Sequence, residues 1–249
     1  MDINKFMFPV EEKDVYLINP KTDLPKITDD YKAILRADNH KLISIMKNTY
    51  EVVPNSLVIN PLMDELTKFD TPYYIDSTHS FVEDNRMRLQ VTFPDLTMND
   101  GTSDIALSLF LHNSYDGSEG VRMFWGAIRY ICSNGMVFGI LLSKYYRKHT
   151  QGINIKNLKE QLQITYEKIP LIQSRIDELC NTPHTEDMLD TIEKKMGKTV
   201  AKYIKEQSKL NQIYSQWILF NMVTYYISHI IPPRLRAPYQ LETSKIFKL

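Results

Sequence analysis

Two strand-and-turn units in the middle of the chain limit its possible folds more than any other feature. Apolar residues recur at every second position over residues 105–111, which makes one face of a strand apolar. That strand leads into Asp116-Gly117, and the next apolar strand leads into Asn134-Gly135. Asp-Gly and Asn-Gly beside alternating apolar residues are strong signals for antiparallel strands joined by tight turns. The sequence therefore predicts an antiparallel sheet here. The residues of the apolar face are Ile105, Leu107, Leu109 and Leu111.

An alternating run over residues 86–93 predicts a further strand of this sheet. Its two faces differ in chemistry, because one is apolar and the other carries two arginines. We therefore expect a half-buried strand with a basic face toward solvent. The apolar face consists of Met87, Leu89, Val91 and Phe93, and the other of Arg86, Arg88, Gln90 and Thr92.

The residues before this strand divide into an arm, a hairpin and a helix. Residues 1–26 are polar and interrupted by three prolines, which favours an extended, partly disordered arm. Residues 31–50 contain two strand-like runs around a polar turn, which predicts a hairpin. A helix is expected from Ser56, as its cap, to about Phe69. Residues 94–101 are expected to form a loop.

Beyond residue 150 apolar residues recur at spacings of three and four, which is typical of amphipathic helices. Pro170 should kink or restart the first helix. Thr185 is expected to cap a short helix that ends at Gly197, and another helix should follow from about Lys198. The last helix should cover residues 211–231 and stop at Pro232-Pro233.

These elements predict an α+β fold. A largely antiparallel sheet with one N-terminal helix is followed by a C-terminal helical segment that packs on the sheet. The predicted organisation is an extended arm over residues 1–26, a β-rich core over 27–150 and a helical region over 151–249, combined in one composite domain.

Composition is that of an ordinary globular protein, with 43% hydrophobic and 24% charged residues among 249. No run approaches the ~18 apolar residues of a membrane span, and the N-terminus does not read as a signal peptide. The two cysteines, Cys132 and Cys180, are too few for a disulfide framework. We therefore expect a cytoplasmic protein without membrane contact.

Charge is distributed unevenly although the formal net charge is zero. Residues 1–120 contain 20 acidic and 11 basic side chains, whereas residues 121–249 contain 10 acidic and 19 basic ones. The halves could attract each other, or the second half could meet a polyanion. A solvated basic helix surface is the third interpretation.

The residue pattern favours neither a metal site nor a cofactor site. The six histidines are scattered, no Cys-x-x-Cys pair exists, and no glycine-rich phosphate loop is present. His112, Asp116 and Cys132 could be drawn as base, orienter and nucleophile, but a cysteine at a strand end is usually a small buried residue. Ser114 and Asp116 are expected to bond nearby backbone amides, with Gly117 in the positive-φ conformation.

Cations alternate with aromatic rings on several predicted strands, which favours single-stranded nucleic acid as a ligand. Such ligands are held by cations along the backbone and by rings that stack on bases, at about 1–3 kcal/mol each. An ordinary surface of arginines, lysines and half-buried tyrosines is the alternative. The candidate residues are Arg86, Arg88, Arg122, Trp125, Arg129, Lys144, Tyr145, Tyr146, Arg147 and Lys148.

One motif combines Asn113-Ser114-Tyr115-Asp116-Gly117-Ser118 with residues 129–135, and a second consists of Trp217, Asn221 and His229. These motifs resemble a phage- and plasmid-encoded family called domain of unknown function 932. The first resembles its Asn-Ser-His-Asp-Gly-Ser … Arg-x-x-Cys-x-Asn-Gly pattern, and the second its C-terminal Trp…Asn…His helix. The likeness covers about residues 30–249, although Tyr115 stands at the usual histidine and Met222 at a usual small residue. The matching residues are Asn113, Ser114, Asp116, Gly117, Ser118, Arg129, Cys132, Asn134, Gly135, Trp217, Asn221 and His229.

The resemblance implies a mobile genetic element and a bacterial host, but no settled activity. In outline the strands and helices are similar to phage single-strand annealing proteins, which form rings or filaments. One hypothesis is therefore an oligomeric protein that binds or anneals single-stranded DNA in recombination. A second is a protein-interaction factor that counteracts host defence or joins a phage particle. A third is an enzyme that uses Cys132 with His112 or His229; we expect no enzyme and no cofactor.

Overall fold

The computed structural model describes most of the chain, namely residues 2–18, 20–22, 24–130, 134–137, 144–147, 158–211 and 215–249. At residues 134–137, 144–147, 158–162, 208–211, 233–234 and 237 the description covers the backbone alone. These parts contain ten strands, six α-helices and one short 3-10 helix. The α+β prediction is confirmed, because antiparallel sheets are followed by a run of helices.

The elements alternate little along the chain, with strands concentrated before residue 150 and helices after it. The 3-10 helix is Ile3–Phe6. The strands are β1 (Val10–Ile18), β2 (Pro25–Arg36), β3 (Leu42–Lys47), β4 (Tyr74–Ile75), β5 (Phe81–Val82), β6 (Arg86–Asn99), β7 (Asp104–Ser114), β8 (Val121–Arg129), β9 (Asn134–Val137) and β10 (Lys144–Arg147). The helices are α1 (Ser56–Leu66), α2 (Leu158–Asn181), α3 (Glu186–Met196), α4 (Lys198–Asn211), α5 (Gln216–His229) and α6 (Pro233–Phe247).

Strands β1, β2 and β3 form a small antiparallel sheet in that order. The predicted hairpin over residues 31–50 is present as β2 and β3. The segment expected as an extended arm contains the 3-10 helix and β1, which pairs with β2 from Val10 opposite Arg36 to Ile18 opposite Pro25. Its prolines do not interrupt β1, because they lie outside that strand, where no ladder hydrogen bond is lost.

The larger sheet has the strand order β10-β8-β7-β6-β4 and is antiparallel throughout. Strand β5 also pairs with β6, and β9 also pairs with β8. The apolar residues after Asn134-Gly135 predict one further strand over residues 136–146, where the structure has two short strands that pair with opposite ends of β8. Residues 138–143 of that prediction lie outside the described residues.

The apolar faces predicted for the central strands form the main core. All eight predicted residues of β6 and β7 are buried in one hydrophobic cluster, together with α1, α2 and α5. Helix α5 contributes the side chains that its sequence pattern placed on one side, including Trp217 and Phe220. The helices therefore cover this face of the sheet, as predicted.

The other face of β6 is covered too, so the prediction of a basic solvent-facing surface is wrong. Arg88, Gln90 and Thr92 are all buried. The backbone amide of Gln90 donates a hydrogen bond to Ser80 in the loop between β4 and β5. Helix α6, which was not predicted, brings Arg236 and further residues to the same side as Arg88.

Three local predictions are wrong at element boundaries. Strand β6 continues to Asn99 where a loop was expected, because Pro94 falls at a β-bulge, where the sheet tolerates proline. Asn55 rather than Ser56 precedes α1, and its side chain bonds other segments instead of capping the helix. Helix α2 runs through Pro170 as one helix, so the predicted restart is wrong, whereas the kink stays a prediction.

The predicted limits of α3 are confirmed. Thr185 adopts an extended conformation and accepts a hydrogen bond from the amide of Met188 at 3.4 Å. Gly197 ends the helix at φ +94°, a backbone conformation that favours glycine. Helix α5 ends at His229, before the Pro232-Pro233 pair. Pro233 is the first residue of a further helix, and proline is tolerated at this first helical position.

Candidate nucleic-acid interface

Three of the predicted nucleic-acid residues meet on the face of the large sheet that α6 approaches. Arg88 of β6 lies opposite His112 of β7, and His112 lies opposite Arg122 of β8. Arg122 is in turn opposite Tyr146 of β10. At about 4.8 Å per strand these four positions form a row about 14 Å long. We call Arg88, His112, Arg122 and Tyr146 the cross-strand row.

Arg88 is held inside the protein by an acidic partner. Its Nη2 atom donates a hydrogen bond to Glu119 Oε1 at 2.5 Å. The other oxygen of Glu119 lies 3.4 Å from His112 Nδ1, and all three side chains are almost completely buried. Because a buried guanidinium requires a compensating charge, Glu119 explains why Arg88 can lie here.

The protonation states in this group follow from burial and from the ion pair. Burial lowers the pKa of His112 from 6.5 to about 4. Glu119 acts in the opposite direction, whereas the charges of Arg88 and Arg122 lower this pKa further. The imidazole of His112 is therefore neutral at pH 7. Burial alone would raise the pKa of Glu119, but the interactions with His112 and Arg88 outweigh it and lower that pKa to about 2. Glu119 therefore neutralises Arg88, and Arg122 is the second cation of the row.

Arg86 and Arg122 flank this buried pair. The guanidinium of Arg86 lies 3.5 Å from Glu83 and 3.8 Å from Asp116, and its side chain is 14% exposed. Arg122 is half-buried and lies close enough to Arg88 to oppose its charge. The structure thus brings Arg86, Arg88 and Arg122 together, as the hypothesis required.

Trp125 and Arg129 belong to the opposite face of β8 and do not extend the row. Trp125 is 1% exposed and packs in the main core, with its ring centroid 5.6 Å from that of Phe93. Arg129 Nε donates a hydrogen bond to Asp100 Oδ2 at 2.6 Å. Strand alternation explains the difference, because odd-numbered residues of β8 face the core.

The backbone of β10 carries the basic and aromatic segment to the edge of the row. Lys144 pairs with Phe124, and Tyr146 pairs with Arg122. Tyr145 and Arg147 occupy the alternate positions, opposite Met123 and Val121. Lys148, the last residue of the predicted segment, lies outside the described residues.

The first motif forms a turn that joins the small sheet to β7. Asn113 Nδ2 donates to the carbonyl oxygen of Val53 and to Asn55 Oδ1, both at 2.8 Å. Tyr115 Oη accepts a hydrogen bond from the Asn55 amide. Ser114 Oγ accepts from the amide of Glu119, and Asp116 accepts from that of Ser118, while Gly117 has φ +70°. The expected bonds to nearby backbone amides are therefore confirmed.

The second motif joins the end of the large sheet to α5 through a residue that sequence reasoning did not single out. Asp100 Oδ2 accepts hydrogen bonds from Arg129 Nε and from Trp217 Nε1, the latter at 2.8 Å. Its Oδ1 accepts from the amides of Thr102 and Ser103. Because these bonds outweigh burial, the pKa of Asp100 lies far below its usual range. We call Asp100, Arg129 and Trp217 the Asp100 cluster.

A cleft of about 620 Å³ opens beside the Asp100 cluster. Burial raises the pKa of Cys180 in its wall to about 11, so that sulfur is a thiol rather than a nucleophilic thiolate at pH 7. Asp100 is an ionised hydrogen-bond acceptor with no proton to donate. These groups are suited to binding rather than to acid-base or nucleophilic chemistry. The cleft is also lined by Tyr203, Ile218, Asn221, Met222 and Tyr225.

The remaining motif residues lie near this cleft or outside the description. Asn221 Nδ2 donates to the carbonyl oxygen of Trp217 at 2.9 Å, and the ring of His229 lies 4.4 Å from that of Tyr225. Asn134 and Gly135 belong to β9, opposite Arg129 and Ile128. Cys132 lies outside the described residues, so the enzyme hypothesis built on it stays a prediction.

The described residues contain neither a candidate metal-binding group nor a candidate membrane-spanning helix. No group of three or more histidine, cysteine, aspartate or glutamate side chains is placed to hold a metal ion in that part of the chain. None of its helices combines the length and the apolar character that crossing a membrane requires.

A family model described as Domain of unknown function (DUF932) matches residues 42–245. The chain belongs to this family. The resemblance drawn from the two motifs is thereby confirmed. The DUF932 match begins at the first residue of β3 and contains the cross-strand row and the Asp100 cluster, whereas β1 and β2 precede it. No curated protein and no solved structure matched the chain.

Sequence reasoning missed three charged residues that organise these sites: Asp100, Glu119 and Arg236. Asp100 was placed in a loop, and Glu119 lies 31 positions from the arginine that it neutralises. Arg236 follows a Pro-Pro pair that was interpreted only as a helix end. Proline at the first position of a helix is common, so that pair could also have indicated the start of α6.

Proposed function

We propose that the protein binds single-stranded nucleic acid along the edge of the large sheet formed by β8 and β10. The observation that carries the proposal is the register that places Arg122 opposite Tyr146, with Lys144 next to Phe124. A polynucleotide strand requires cations for its phosphates and rings for its bases, and this edge combines both residue types. Trp125 and Arg129 take no direct part, since Trp125 is buried in the core and Arg129 is already bonded to Asp100.

The charge distribution along the chain supports the same interface. Residues 121–249 carry the excess of lysine and arginine, and β8 and β10 open that half. A local cationic surface is sufficient for binding even when the formal net charge of the chain is zero. The resemblance to a phage- and plasmid-encoded family, together with the outline similarity to phage single-strand annealing proteins, extends the proposal to annealing in phage or plasmid recombination, by an oligomer of this chain in the host cytoplasm.

Fluorescence anisotropy with a labelled oligonucleotide at low salt tests this proposal. Wild-type protein should bind, and raising the salt concentration should weaken binding because counterions are released from the phosphates. Arg122→Gln should weaken binding about tenfold at low salt and make the salt dependence less steep. Absence of binding by the wild type at low salt would refute the proposal.

The control variant is Lys202→Gln, which removes the same charge from an exposed position on α4. It should bind the oligonucleotide as the wild type does. Equal losses in Arg122→Gln and Lys202→Gln would show that total charge, rather than the β8–β10 edge, determines binding.

A protein-interaction factor is the second candidate, and the tip of the β1–β2 hairpin favours it. Tyr16 lies opposite Ile27 and Ile18 lies opposite Pro25, so these side chains share one face. Tyr16, Ile18 and Ile27 are 55%, 65% and 47% exposed. An apolar face of this kind on a projecting hairpin is typical of an interaction site.

A photo-crosslinking residue at Ile18 tests the second candidate, with the same residue at Lys202 as control. Labelled protein in host lysate should give a discrete adduct from position 18 and none from position 202. Adduct formation that is absent, or equal at both positions, would count against an interaction through the hairpin tip.

A further inference from the structure

A small cavity of about 90 Å³ lies between the large sheet and α6. Its walls combine residues of β6 and β7 with residues of α6, so elements distant in sequence enclose it. Most of its lining residues carry side-chain hydrogen-bond donors, namely Thr78, His79, Arg88, Gln90, His112, Ser228, Arg236 and Gln240. The lining is thus rich in donors, and it includes two guanidinium groups.

The two arginines of this cavity retain donor capacity. The side chain of Arg88 is only 7% exposed, and its Nε atom has no hydrogen-bond partner among the described residues. Arg236 Nε donates to the carbonyl oxygen of Ile231 at 2.9 Å, the one hydrogen bond that its guanidinium makes within the described part of the chain. A buried donor left without a partner is unfavourable, so a cavity lined by such groups favours a ligand that accepts hydrogen bonds.

Charges around the cavity leave Arg236 without a compensating carboxylate. Glu119 pairs with Arg88, and Asp76 accepts hydrogen bonds from the His79 ring and from nearby amides. Among the described residues, Arg236 makes no ion pair. Burial lowers the pKa of Arg236, and the positive charge of Arg88 lowers it further. The two guanidinium groups therefore repel each other electrostatically. An anion between them would offset this repulsion.

We propose that the cavity between Arg88 and Arg236 binds a tetrahedral oxyanion. The chemistry is shared by free phosphate and by the backbone phosphate of a nucleic acid. In the second case the inference deepens the proposed function and rests on it. The volume is compatible with a small ligand of this kind, because about 90 Å³ is well above the ~30 Å³ that one water occupies in the liquid. Guanidinium groups recognise such an anion through paired, charge-assisted hydrogen bonds.

Isothermal titration calorimetry of the full chain with inorganic phosphate tests the site, in a phosphate-free buffer whose ionic strength is held constant with chloride. The wild type should bind phosphate saturably with one site per chain. Arg236→Gln should weaken this binding about tenfold or more. The matched control is Lys245→Gln, which removes the same charge from an exposed position of the same helix and should bind as the wild type does.

Three results would overturn the inference: no saturable binding by the wild type, unchanged binding by Arg236→Gln, or an equal loss in Lys245→Gln. If circular dichroism shows that Arg236→Gln is unfolded, Arg236→Lys replaces it. Lysine keeps the charge but loses the planar pair of donors, so phosphate should still bind several-fold more weakly. Wild-type affinity in Arg236→Lys would then contradict the site.

A competition experiment identifies the source of the oxyanion once binding has been measured. Phosphate is titrated into the complex with a labelled oligonucleotide. Displacement would place a backbone phosphate in the cavity, whereas undisturbed oligonucleotide binding would assign the cavity to free phosphate; either result supports an oxyanion site. Failure of the oligonucleotide to bind at all would refute the proposed function and leave the calorimetric result standing.

Discussion

Asp100 connects more of the structure than any motif residue that the sequence singled out. Its buried carboxylate accepts hydrogen bonds from a sheet residue, Arg129, from a helix residue, Trp217, and from two amides of its own turn. The side chain of Arg129 is only 14% exposed and that of Asp100 is fully buried, so this ion pair is largely shielded from water. The cluster therefore acts as a clamp between β8 and α5.

Asp100→Asn should lower the free energy of unfolding by about 3 kcal/mol, because it removes the buried carboxylate charge that pairs with the largely buried Arg129 guanidinium. Urea denaturation measures the loss. Glu178→Gln is the control, since it removes a carboxylate that pairs with Arg175 at a 62% exposed position and should cost less than about 0.5 kcal/mol. Similar losses in the two variants would contradict the clamp.

His112 should make the protein less stable in mild acid. Its pKa is 6.5 in the unfolded chain and about 4 in the folded one, mainly because of burial. Between these values the unfolded chain binds a proton that the folded chain does not, so stability falls as the pH falls from about 6.5 to about 4. The loss between about pH 7 and pH 5 should be on the order of 1–2 kcal/mol.

Urea denaturation of wild type and His112→Gln at both pH values checks this prediction. The variant should show a smaller loss over that interval. Glu119 adds a separate loss at lower pH, since its pKa is depressed from 4.5 to about 2 and its stabilisation is complete only above 4.5. An identical pH dependence in wild type and variant would exclude His112 as the cause.

At the scale of elements, α3 is limited by local chemistry at both ends. Thr185 satisfies an orphan amide at the start, and Gly197 ends the helix with φ +94° and ψ 160°. That combination is almost exclusive to glycine, whereas the left-handed helical region also accepts asparagine. No neighbour lies within 4 Å of a Cβ added at Gly197, so crowding makes no contribution there.

Gly197→Ala should therefore lower the free energy of unfolding by about 1–3 kcal/mol through backbone strain alone. Gly197→Asn should lose a similar amount, because asparagine gains no advantage in this conformation. Thermal and urea unfolding of both variants measure the effect. Recovery of wild-type stability by asparagine would show that the residue lies instead in the left-handed helical region.

Elements with a strict pattern could be predicted, and those that depend on distant partners could not. Period-two apolarity identified the core faces of β6 and β7, and local capping residues identified α3. The burial of Arg88 could not be predicted, because a charge normally indicates solvent unless its partner is known. Helix α6 was missed because Pro232-Pro233 ends one helix and begins the next.

At the scale of the whole molecule, helices cover both faces of the central sheet to different extents. Helices α1, α2 and α5 contribute to the main core on one face, while α6 lies over part of the other with the cavity beneath it. The candidate interface is therefore an edge rather than a broad open face. The candidate nucleic-acid residues divide accordingly, with Arg122 and β10 at this edge and Trp125 in the core.

Hydrogen–deuterium exchange with and without a saturating single-stranded oligonucleotide tests the central claim most directly, because it locates the interface on the full chain. Binding at the β8–β10 edge should slow amide exchange in Val121–Arg129 and Lys144–Arg147, with little change in Glu186–Met196. Protection confined to the helices, or no change in β8 and β10 under conditions where the oligonucleotide is bound, would contradict it.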